Sequence, residues 1–417
     1  MPKEITSKEV KDELFYERCC GLDVHKKTVV ACLRDGKKAA IREYGTMTGE
    51  LRELAMWLRE SGCQMAAMES TGSYWKPIYN ILEMLEIDVI VVNASHLKNV
   101  PGRKTDVKDS EWIAKLLSQG NLRASYIPDR EQRDRKELVR YRRSLIRERS
   151  REINRMQKML EGANIKLTSV VDSVMGKSSR ALVNATMNDK KITNDDVFSY
   201  ISSNLKGKAS DIVKAMDGIM SKTQKLLLKA VLDHIDDMTK RIDELTDSID
   251  DDMKKYEEMI DNLDAIPGIG KESAQVIISE AGIDMDRFPT AGHFARWAGV
   301  CPGNNDSAGK KGRGKAYKGN SVLKSTLVQC AQSAVLTKNT FYRAQYDKLI
   351  VRRGKNRAKV AVAHSMAISI WHMLKHKVKF RDLGANYYNQ FNKEKKVAMY
   401  LKKIMELGYT PTILAQA

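Results

Sequence analysis

The sequence predicts an α/β domain at the N-terminus, followed by a long and mainly helical region. Three observations lead to this prediction. Between residues 18 and 125, short apolar runs of strand length alternate with apolar residues at helical spacing. A heptad pattern dominates 129–262, with steps of three and four residues. Mixed composition with turn glycines marks a mainly helical domain at 263–384, ahead of a helical tail at 385–417.

The N-terminal domain, 18–125, starts with a strand that carries Asp23, followed by a hairpin. Runs 28–34 and 37–44 flank Asp35-Gly36, a dipeptide that favours a two-residue type I′ turn. Helix, strand, helix and strand follow in the order 51–58, 64–69, 78–85 and 89–92. A hairpin followed by β-α-β-α-β is the order expected of an RNase H-like mixed sheet.

The segment 129–262 contains the most regular apolar spacing of the chain. Six residues recur at alternating steps of four and three: Val231, Ile235, Met238, Ile242, Leu245 and Ile249. After a one-residue slip at Met253 the pattern continues to Leu263, which predicts a coiled-coil seam. The arginine-rich stretch 130–160 is its expected partner, and 166–222 between them is expected to be a small helical insertion.

Charge is the unusual feature of the composition. The 417 residues have a net charge of +19 and a pI of about 9.5, which favours an acidic polymer as partner. Charge alone does not separate a nucleic-acid enzyme from a ribosomal or membrane-surface protein. The six cysteines form no CxxC pair, and the chain has no 18-residue apolar run. We therefore expect a bacterial cytoplasmic, nucleoid-associated protein with reduced thiols and no membrane partner.

Four carboxylates are candidate metal ligands and catalytic residues: Asp23, Glu69, Asp106 and Asp109. One lies within the first strand, one ends a later strand, and two lie three residues apart at an expected helix start. Each acid alone has a structural explanation, as an edge residue or a helix cap. Phosphoryl transfer by two metal ions, however, needs acids that converge from separate elements. Two lysines beside them are expected to hold the scissile phosphate: Lys104 and Lys108.

The C-terminal region contains a candidate phosphate-binding turn and a basic stretch. Pro267-Gly268-Ile269-Gly270 is typical of a helix-hairpin-helix turn, although a plain helix connection explains it as well. Between Ser307 and Lys359 there are fourteen Lys or Arg residues and one acid, which favours phosphate contact. The candidates nearest to Ser307 are Lys310, Lys311, Arg313, Lys315 and Lys318.

Three phrases of the sequence together resemble the DEDD transposases of the insertion sequence 110 family, whose relatives include the pilin-gene invertases. They are Gly21–Lys26, Met68–Gly72 and Lys104–Asp109. The resemblance covers nearly the whole chain, and all four acids match. It implies a catalytic domain similar to RuvC-type Holliday-junction resolvases, which are RNase H-like. It also implies that the acids bind two Mg²⁺ ions, or Mn²⁺ in their place.

The resemblance implies a nucleophile as well. Ser307 lies in a Ser-x-Gly-Lys context that matches the family's catalytic serine, whereas Ser321 and Ser325 lie outside the motif. A serine hydroxyl needs activation to attack a phosphodiester, and the only neighbouring base is Asp306. Activation is therefore expected from the metal ions. The implied partners are donor and target DNA, a structured guide RNA encoded by the element, and further copies of the chain that form dimers and a tetramer through the coiled coil.

Two other functions are compatible with the same residues. In a metal-only nuclease or junction resolvase, water attacks the phosphate and Ser307 is structural. In a nucleic-acid-binding scaffold, the acids are inactive and the coiled coil serves assembly alone. A covalent DNA–protein adduct would exclude the first alternative. A loss of activity in the Asp23→Asn variant would exclude the second.

Overall fold

The chain divides into two units, Met1–Pro128 and Asp129–Ala417, and each is described by itself. In the part of the chain that is described, no helix is both long and apolar enough to cross a membrane. The structure is a computed structural model, and the residues that it describes are 15–93, 109–200, 207–303, 306–307, 310–311, 316–390 and 393–409.

The first unit is a mixed α/β structure, as the sequence predicts. In chain order its elements are β1 (Arg18–Val24), β2 (Thr28–Asp35), β3 (Lys38–Gly45), α1 (Thr48–Glu60), β4 (Met65–Glu69), α2 (Trp75–Met84), β5 (Val89–Val92), α3 (Asp109–Ser118) and β6 (Ala124–Ser125). The strands form a six-stranded sheet in the order β3-β2-β1-β4-β5-β6. Strand β4 is parallel to β1 and β5, whereas the other pairs are antiparallel.

The two faces of the sheet are covered by different helices. Cys20, Leu22 and Val24 of β1 pack in one core with residues of α1 and α2. Cys19 packs on the opposite face in a second core with residues of α3, among them Trp112. Because successive side chains of a strand point to opposite faces, Asp23 lies on the α3 face together with Cys19.

The predicted hairpin is present, but its loop lies one residue further along the chain. Asp35, which was predicted to lie in the loop, pairs with Lys38 as part of the ladder. The two loop residues are therefore Gly36 and Lys37. Gly36 has a φ of +57°, and Lys37 is not among the residues with positive φ. A type I′ turn needs positive φ at both loop positions, so the predicted turn type was wrong. The glycine supplies the positive φ at the first loop position instead of the second.

The second unit is mainly helical. Its helices are α4 (Arg130–Gly162), α5 (Lys177–Met187), α6 (Asn194–Tyr200), α7 (Ala209–Ala215), α8 (Lys222–Asp252), α9 (Glu257–Asp264), α10 (Lys271–Ala281), α11 (Ala291–Trp297), α12 (Ser321–Ala334), α13 (Phe341–Arg353), α14 (Lys355–His376), α15 (Tyr387–Gln390) and α16 (Lys393–Glu406). Two 3-10 turns occupy Leu167–Ser169 and Lys254–Tyr256, and two short strands are β7 (Asp306–Ser307) and β8 (Lys310–Lys311).

Helices α4 and α8 pack against each other in antiparallel directions, and arginines of α4 take part in the contact. Arg135, Arg142 and Arg149 are spaced by seven residues, and the first two are buried. Their partners run the opposite way along α8: Asp252, Thr246 and Thr239. This explains why α4 is dense in arginine, since some of these arginines occupy positions that apolar residues usually take.

On α8 the contact is lined by apolar residues at steps of three and four. The buried ones are Leu228, Leu232, Ile235, Met238, Ile242 and Ile249. Val231 and Leu245, which the sequence pattern included, are only partly buried. At its other end the pair joins the C-terminal core, because Val139 of α4 and Ile249 of α8 belong to the same apolar cluster as Leu263, Phe294 and Ile370.

Gly21 of β1 provides a test of how closely α3 packs on the sheet. A Cβ added there would overlap the carbonyl oxygen of Ser110 and the amide nitrogen of Ala114. Both are backbone atoms that cannot turn away. We therefore expect Gly21→Ala to lower the free energy of unfolding by about 1–3 kcal/mol, measured by urea unfolding of the full chain.

The matched control for this variant is Gly49→Ala. Gly49 is exposed in α1, and an added Cβ would meet nothing within 4 Å. This substitution should leave the stability unchanged or raise it by up to about 1 kcal/mol, because alanine restricts the unfolded chain. Equal stability of the two variants would show that α3 does not contact β1 closely.

Candidate active site

Two of the candidate acids lie side by side at the ends of neighbouring parallel strands. Leu22 of β1 pairs with Met68 of β4, so the next residues in register are Asp23 and Glu69. Adjacent strands lie about 4.8 Å apart, and paired residues of parallel strands point to the same face. Asp23 and Glu69 are both partly buried. The sheet therefore presents these two carboxylates together on its α3 face.

The third described acid, Asp109, is the first residue of α3. It directly precedes Ser110, whose backbone lies against Gly21, two residues before Asp23 on β1. The absence of a side chain at Gly21 lets the start of α3 approach this part of the strand. Asp109 is exposed. The sheet and α3 thus bring acids from β1, β4 and the helix start to one face of the first unit.

Two polar side chains hold the strand acids in place. The Nε2 atom of His25 lies 3.1 Å from Oδ2 of Asp23, and the Asp23 side chain is 25% exposed. The Oγ1 hydroxyl of Thr71 donates to Oε1 of Glu69 at 3.0 Å. Both contacts join residues two apart in the chain. Sequence reasoning did not single out His25 or Thr71, although their positions just beyond the strand acids were a visible signal.

The donor chemistry of these acids suits a hard divalent cation, because Mg²⁺ prefers carboxylate oxygens. Among the residues that the structure describes, no three His, Cys, Asp or Glu side chains are grouped so that they could hold a metal ion. The fourth candidate, Asp106, lies outside the described residues, as do Lys104 and Lys108. Metal binding by the four acids therefore stays a prediction.

In the second unit, α9 and α10 are joined by the turn that contains Gly268 and Gly270. Gly268 has a φ of +85°, and a Cβ added there would overlap backbone atoms of Cys330 and Ala334 in α12. Close packing on α12 is therefore sufficient reason for this glycine. Gly270 precedes α10 as its N-cap, without a side-chain cap. Phosphate binding by the turn stays a prediction.

Ser307 belongs to a short antiparallel ladder. In its register Ser307 pairs with Lys310, and Asp306 pairs with Lys311. Further out, Pro302 forms an isolated antiparallel bridge with Ala316. Of the other basic candidates, Lys318 is exposed, whereas Arg313 and Lys315 lie outside the described residues.

A buried glutamate connects three helices of the second unit. Glu280 of α10 is 1% exposed. Arg140 of α4 donates to both of its carboxylate oxygens, at 2.6 and 2.9 Å, and the Nζ of Lys136 lies at 3.4 Å. Asn320 donates to Glu280 at 2.7 Å, while its own Oδ1 accepts two amide hydrogens at the start of α12. Glu280 thereby ties the start of α12, which follows the Ser307 segment, to α4.

Sequence reasoning missed this glutamate. The available signal was an acid within the apolar run 276–281, where a charge is costly unless it is paired. Burial by itself would raise the pKa of Glu280, but the hydrogen bonds from Arg140 and the charge of Lys136 outweigh it. The pKa of Glu280 therefore lies below its ordinary value of 4.5. The carboxylate is ionised in the folded protein at neutral pH.

Comparison with known proteins identifies the family. A DEDD transposase model of the IS110 family, described as "Transposase", matches residues 20–165. A second model, described as "Transposase IS116/IS110/IS902 family", matches residues 260–347. Together the two models cover more than half of the chain. The chain belongs to the IS110 family of transposases. Membership of this transposase family implies DNA as the substrate and cleavage and transfer of its strands as the general activity.

Two curated relatives are transposases as well. The chain is similar to the transposase for insertion sequence element IS1111A of Coxiella burnetii, with 23% identity over 330 residues, 77% of this chain and 79% of the relative. It is also similar to a putative transposase, y4qE, of Sinorhizobium fredii, with 25% identity over 138 residues, 32% of this chain and 35% of the relative.

The buried glutamate leads to a prediction about pH and stability. The folded-state pKa of Glu280 is lowered, so its contribution is fully present above its unfolded pKa and is lost as pH falls through the folded pKa. At pH 7, Glu280→Gln should lower the free energy of unfolding by about 3–5 kcal/mol, because it leaves Arg140 and Lys136 without their buried carboxylate. The difference from wild type should shrink as pH falls below 4.5.

Urea unfolding at several pH values measures this difference. The control is Glu272→Gln, which changes an exposed glutamate of the same helix. It should cost less than about 0.5 kcal/mol at every pH. If the free energies of unfolding of wild type and Glu280→Gln differ by the same amount at pH 7 and at pH 3, Glu280 is not ionised in the folded protein.

Proposed function

We propose that this transposase mobilises an insertion sequence by a serine mechanism. Ser307 attacks a DNA phosphate and forms a covalent phosphoserine link. The acids Asp23, Glu69, Asp106 and Asp109 would hold two divalent ions, which would assist the attack. The observation that carries the proposal is the juxtaposition of Asp23 and Glu69 on one sheet face, with the start of α3 against that face. Converging carboxylates are what metal-assisted phosphoryl transfer requires.

The strand order supports an RNase H-like, RuvC-type interpretation of the first unit. Three antiparallel strands, β3, β2 and β1, are followed by β4 and β5 in parallel to β1. In such a sheet, chemistry is expected where the parallel strands end. Asp23 and Glu69 lie at or next to those ends.

Within the first unit, each residue has a proposed task. Asp23 and Glu69 supply oxygen ligands from the sheet, and Asp109 supplies one from the start of α3. Asp106, three residues earlier in the sequence, supplies the fourth. His25 orients Asp23, and Thr71 orients Glu69, through the hydrogen bonds described above. Bound Mg²⁺, or Mn²⁺, would neutralise phosphate charge and make the serine hydroxyl more acidic. Lys104 and Lys108 would hold the scissile phosphate.

The covalent step conserves phosphate esters. The Ser307 Oγ forms a bond to phosphorus and loses its proton, while the bond from phosphorus to one deoxyribose oxygen breaks and that oxygen gains a proton. One ester is exchanged for another. Attack by the deoxyribose hydroxyl of a new strand reverses the step, releases the serine and joins the strands. No external energy source is needed, because the number of ester bonds is unchanged throughout.

The proposed partners follow from charge and from the family. Donor and target DNA would contact the turn at Gly268 and Gly270 and the basic residues after Ser307, namely Lys310, Lys311, Arg313, Lys315 and Lys318. A structured RNA encoded by the element would select the two DNA sites by base pairing. Assembly into dimers and a tetramer would use a coiled coil formed by α4 and α8. Because each of these helices covers the other within one chain, contacts between chains would use their outer faces.

A covalent-adduct assay tests the serine mechanism. Wild type, incubated with labelled donor DNA, the element's RNA and Mg²⁺, should leave a DNA–protein adduct on a denaturing gel. Ser307→Ala should form none. The matched control is Ser321→Ala, which removes an exposed hydroxyl outside the motif and should form the adduct normally. Normal cutting by Ser307→Ala without an adduct would contradict the mechanism and favour a metal-only nuclease.

The acids are tested separately. Asp23→Asn keeps the shape of the side chain but removes its charge, so strand transfer should slow by at least about 100-fold. Binding of the same DNA, measured by fluorescence anisotropy, should change less than twofold. Equal strand transfer by wild type and Asp23→Asn would exclude a catalytic role for this acid.

A further inference from the structure

A cleft of about 580 Å³ lies in the second unit, next to the bridge between Pro302 and Ala316. Its walls come from three places: Val300–Pro302 with Ala316, helix α13, and the first half of helix α14. The cleft is large enough for a nucleotide-sized group, since small-molecule sites begin at about 300 Å³.

The interior and the rim of the cleft differ in chemistry. Leu349 of α13 and Val360 and Ala361 of α14 give it an apolar wall. Arg353 and Arg357 stand at its rim, and both are exposed. Within the described parts of the chain, neither guanidinium has a carboxylate within salt-bridge distance. An apolar slot with two uncompensated cations at its mouth is complementary to a flat ring that carries a phosphate.

Two polar groups in the wall also have no hydrogen-bond partner among the described residues. The His364 imidazole is partly buried and has no hydrogen bond to any described residue. Burial lowers the pKa of His364 below 6.5, so the ring is neutral at pH 7 and offers one donor and one acceptor. The Gln345 amide donates to Ser365 at 2.7 Å, but its carbonyl oxygen is buried without a partner among the described residues. A ligand with a polar edge would form hydrogen bonds with these two groups, which the described residues leave without a partner.

The place of the cleft in the chain relates it to Ser307. Ser307 is five residues from Pro302, so covalent geometry keeps it within about 18 Å of the cleft wall. A single DNA strand covers that distance in about five nucleotides at 3.4 Å each, or in fewer when it is stretched. A strand whose phosphate reaches Ser307 is therefore long enough, with about five further nucleotides, to reach the cleft as well.

We propose that this cleft binds one unstacked nucleotide of the DNA strand that Ser307 attacks. The base lies against Leu349 and Val360, with its polar edge toward His364, and the flanking phosphates contact Arg353 and Arg357. The inference rests on the proposed function, because the position of Ser307 selects DNA over RNA as the occupant. Holding a base out of the stack would fix the register of the strand, so that one particular phosphate meets the serine.

Photocrosslinking tests the proposal without relying on catalysis. The probe is a 20-nucleotide single-stranded DNA with 5-bromodeoxyuridine at alternate positions, irradiated with the full chain, and crosslinked peptides are mapped by mass spectrometry. Wild type and Ser307→Ala should both crosslink within α13 and α14. Val360→Trp, which fills the cleft, should reduce that yield about tenfold. The matched control is Val351→Trp, which adds the same ring at an 87% exposed position outside the lining and should crosslink like wild type.

A binding measurement covers the case in which Val360→Trp fails to fold. Arg357→Gln changes an exposed rim residue and should weaken binding of the same DNA about three- to tenfold. It should also reduce the slope of log affinity against log salt by about 0.7, the value for one lost phosphate contact on a single strand. Arg352→Gln, an exposed arginine outside the lining, should stay within twofold of wild type.

The outcomes separate this proposal from the serine mechanism. Crosslinks within α13 and α14 together with no covalent adduct would support the cleft and overturn the mechanism. Two outcomes, each together with a normal adduct, would overturn the proposal that the cleft binds a nucleotide. In the first, Val360→Trp leaves the crosslinks unchanged. In the second, Arg357→Gln has the same affinity and salt slope as Arg352→Gln. Preferred crosslinking of an RNA with 5-bromouridine at the same positions would assign the cleft to RNA and overturn the proposal for DNA.

Discussion

Helices pack directly on bare backbone at two glycines, and the candidate sites depend on these contacts. At Gly21, α3 comes so close to β1 that no side chain fits, which places Asp109 near the strand that carries Asp23. At Gly268, the turn between α9 and α10 packs equally closely on α12. A larger residue at either position would push a helix outward, and since interiors are close-packed, the displacement would be passed on to the side chains that the helix presents.

The basic residues of the chain have two different roles. Arg135 and Arg142 are buried between α4 and α8, and Arg140 pairs with the buried Glu280. Burial lowers the pKa of Arg142. Its guanidinium donates hydrogen bonds to side-chain oxygens of Thr246 and Gln275, and carboxylates lie at longer range. These arginines hold helices together. Arg135 and Arg142 are too buried to contact phosphate, and the charge of the exposed Arg140 is neutralised by Glu280. The net charge of +19 thus overstates the nucleic-acid surface. Better indicators are exposed cations that form no salt bridge with a described residue, such as Arg357.

The two family models leave a segment of the chain between them. The first model ends at residue 165, and the second begins at residue 260. This interval contains α5, α6, α7 and α8. Helix α8 packs against α4, which belongs to the first matched region. The candidate acids and Ser307 lie in different matched regions. Within the second unit, the helix pair α4–α8 packs on the core that contains the second matched region, through Val139 and Ile249.

The sequence by itself determined the features that depend on local pattern. A short apolar run placed Asp23 within a strand, the end of another apolar run placed Glu69, and the strand at 89–92 was predicted to the residue. The family was recognisable because its motifs are contiguous phrases. Even within local patterns, a one-residue difference in pairing moved the hairpin loop from Asp35-Gly36 to Gly36-Lys37.

Only the tertiary structure decided which distant residues share an environment. Glu280 and Arg140 are 140 positions apart, and nothing in either local sequence indicates the other. The sequence predicted the stretch 130–160 as the partner of α8, but it did not show that this contact buries Arg135 and Arg142. The cleft between Pro302, α13 and α14 likewise has no sequence signature. The physical reason is the same in each case: local sequence sets backbone periodicity, whereas burial and pairing depend on which elements fold against each other.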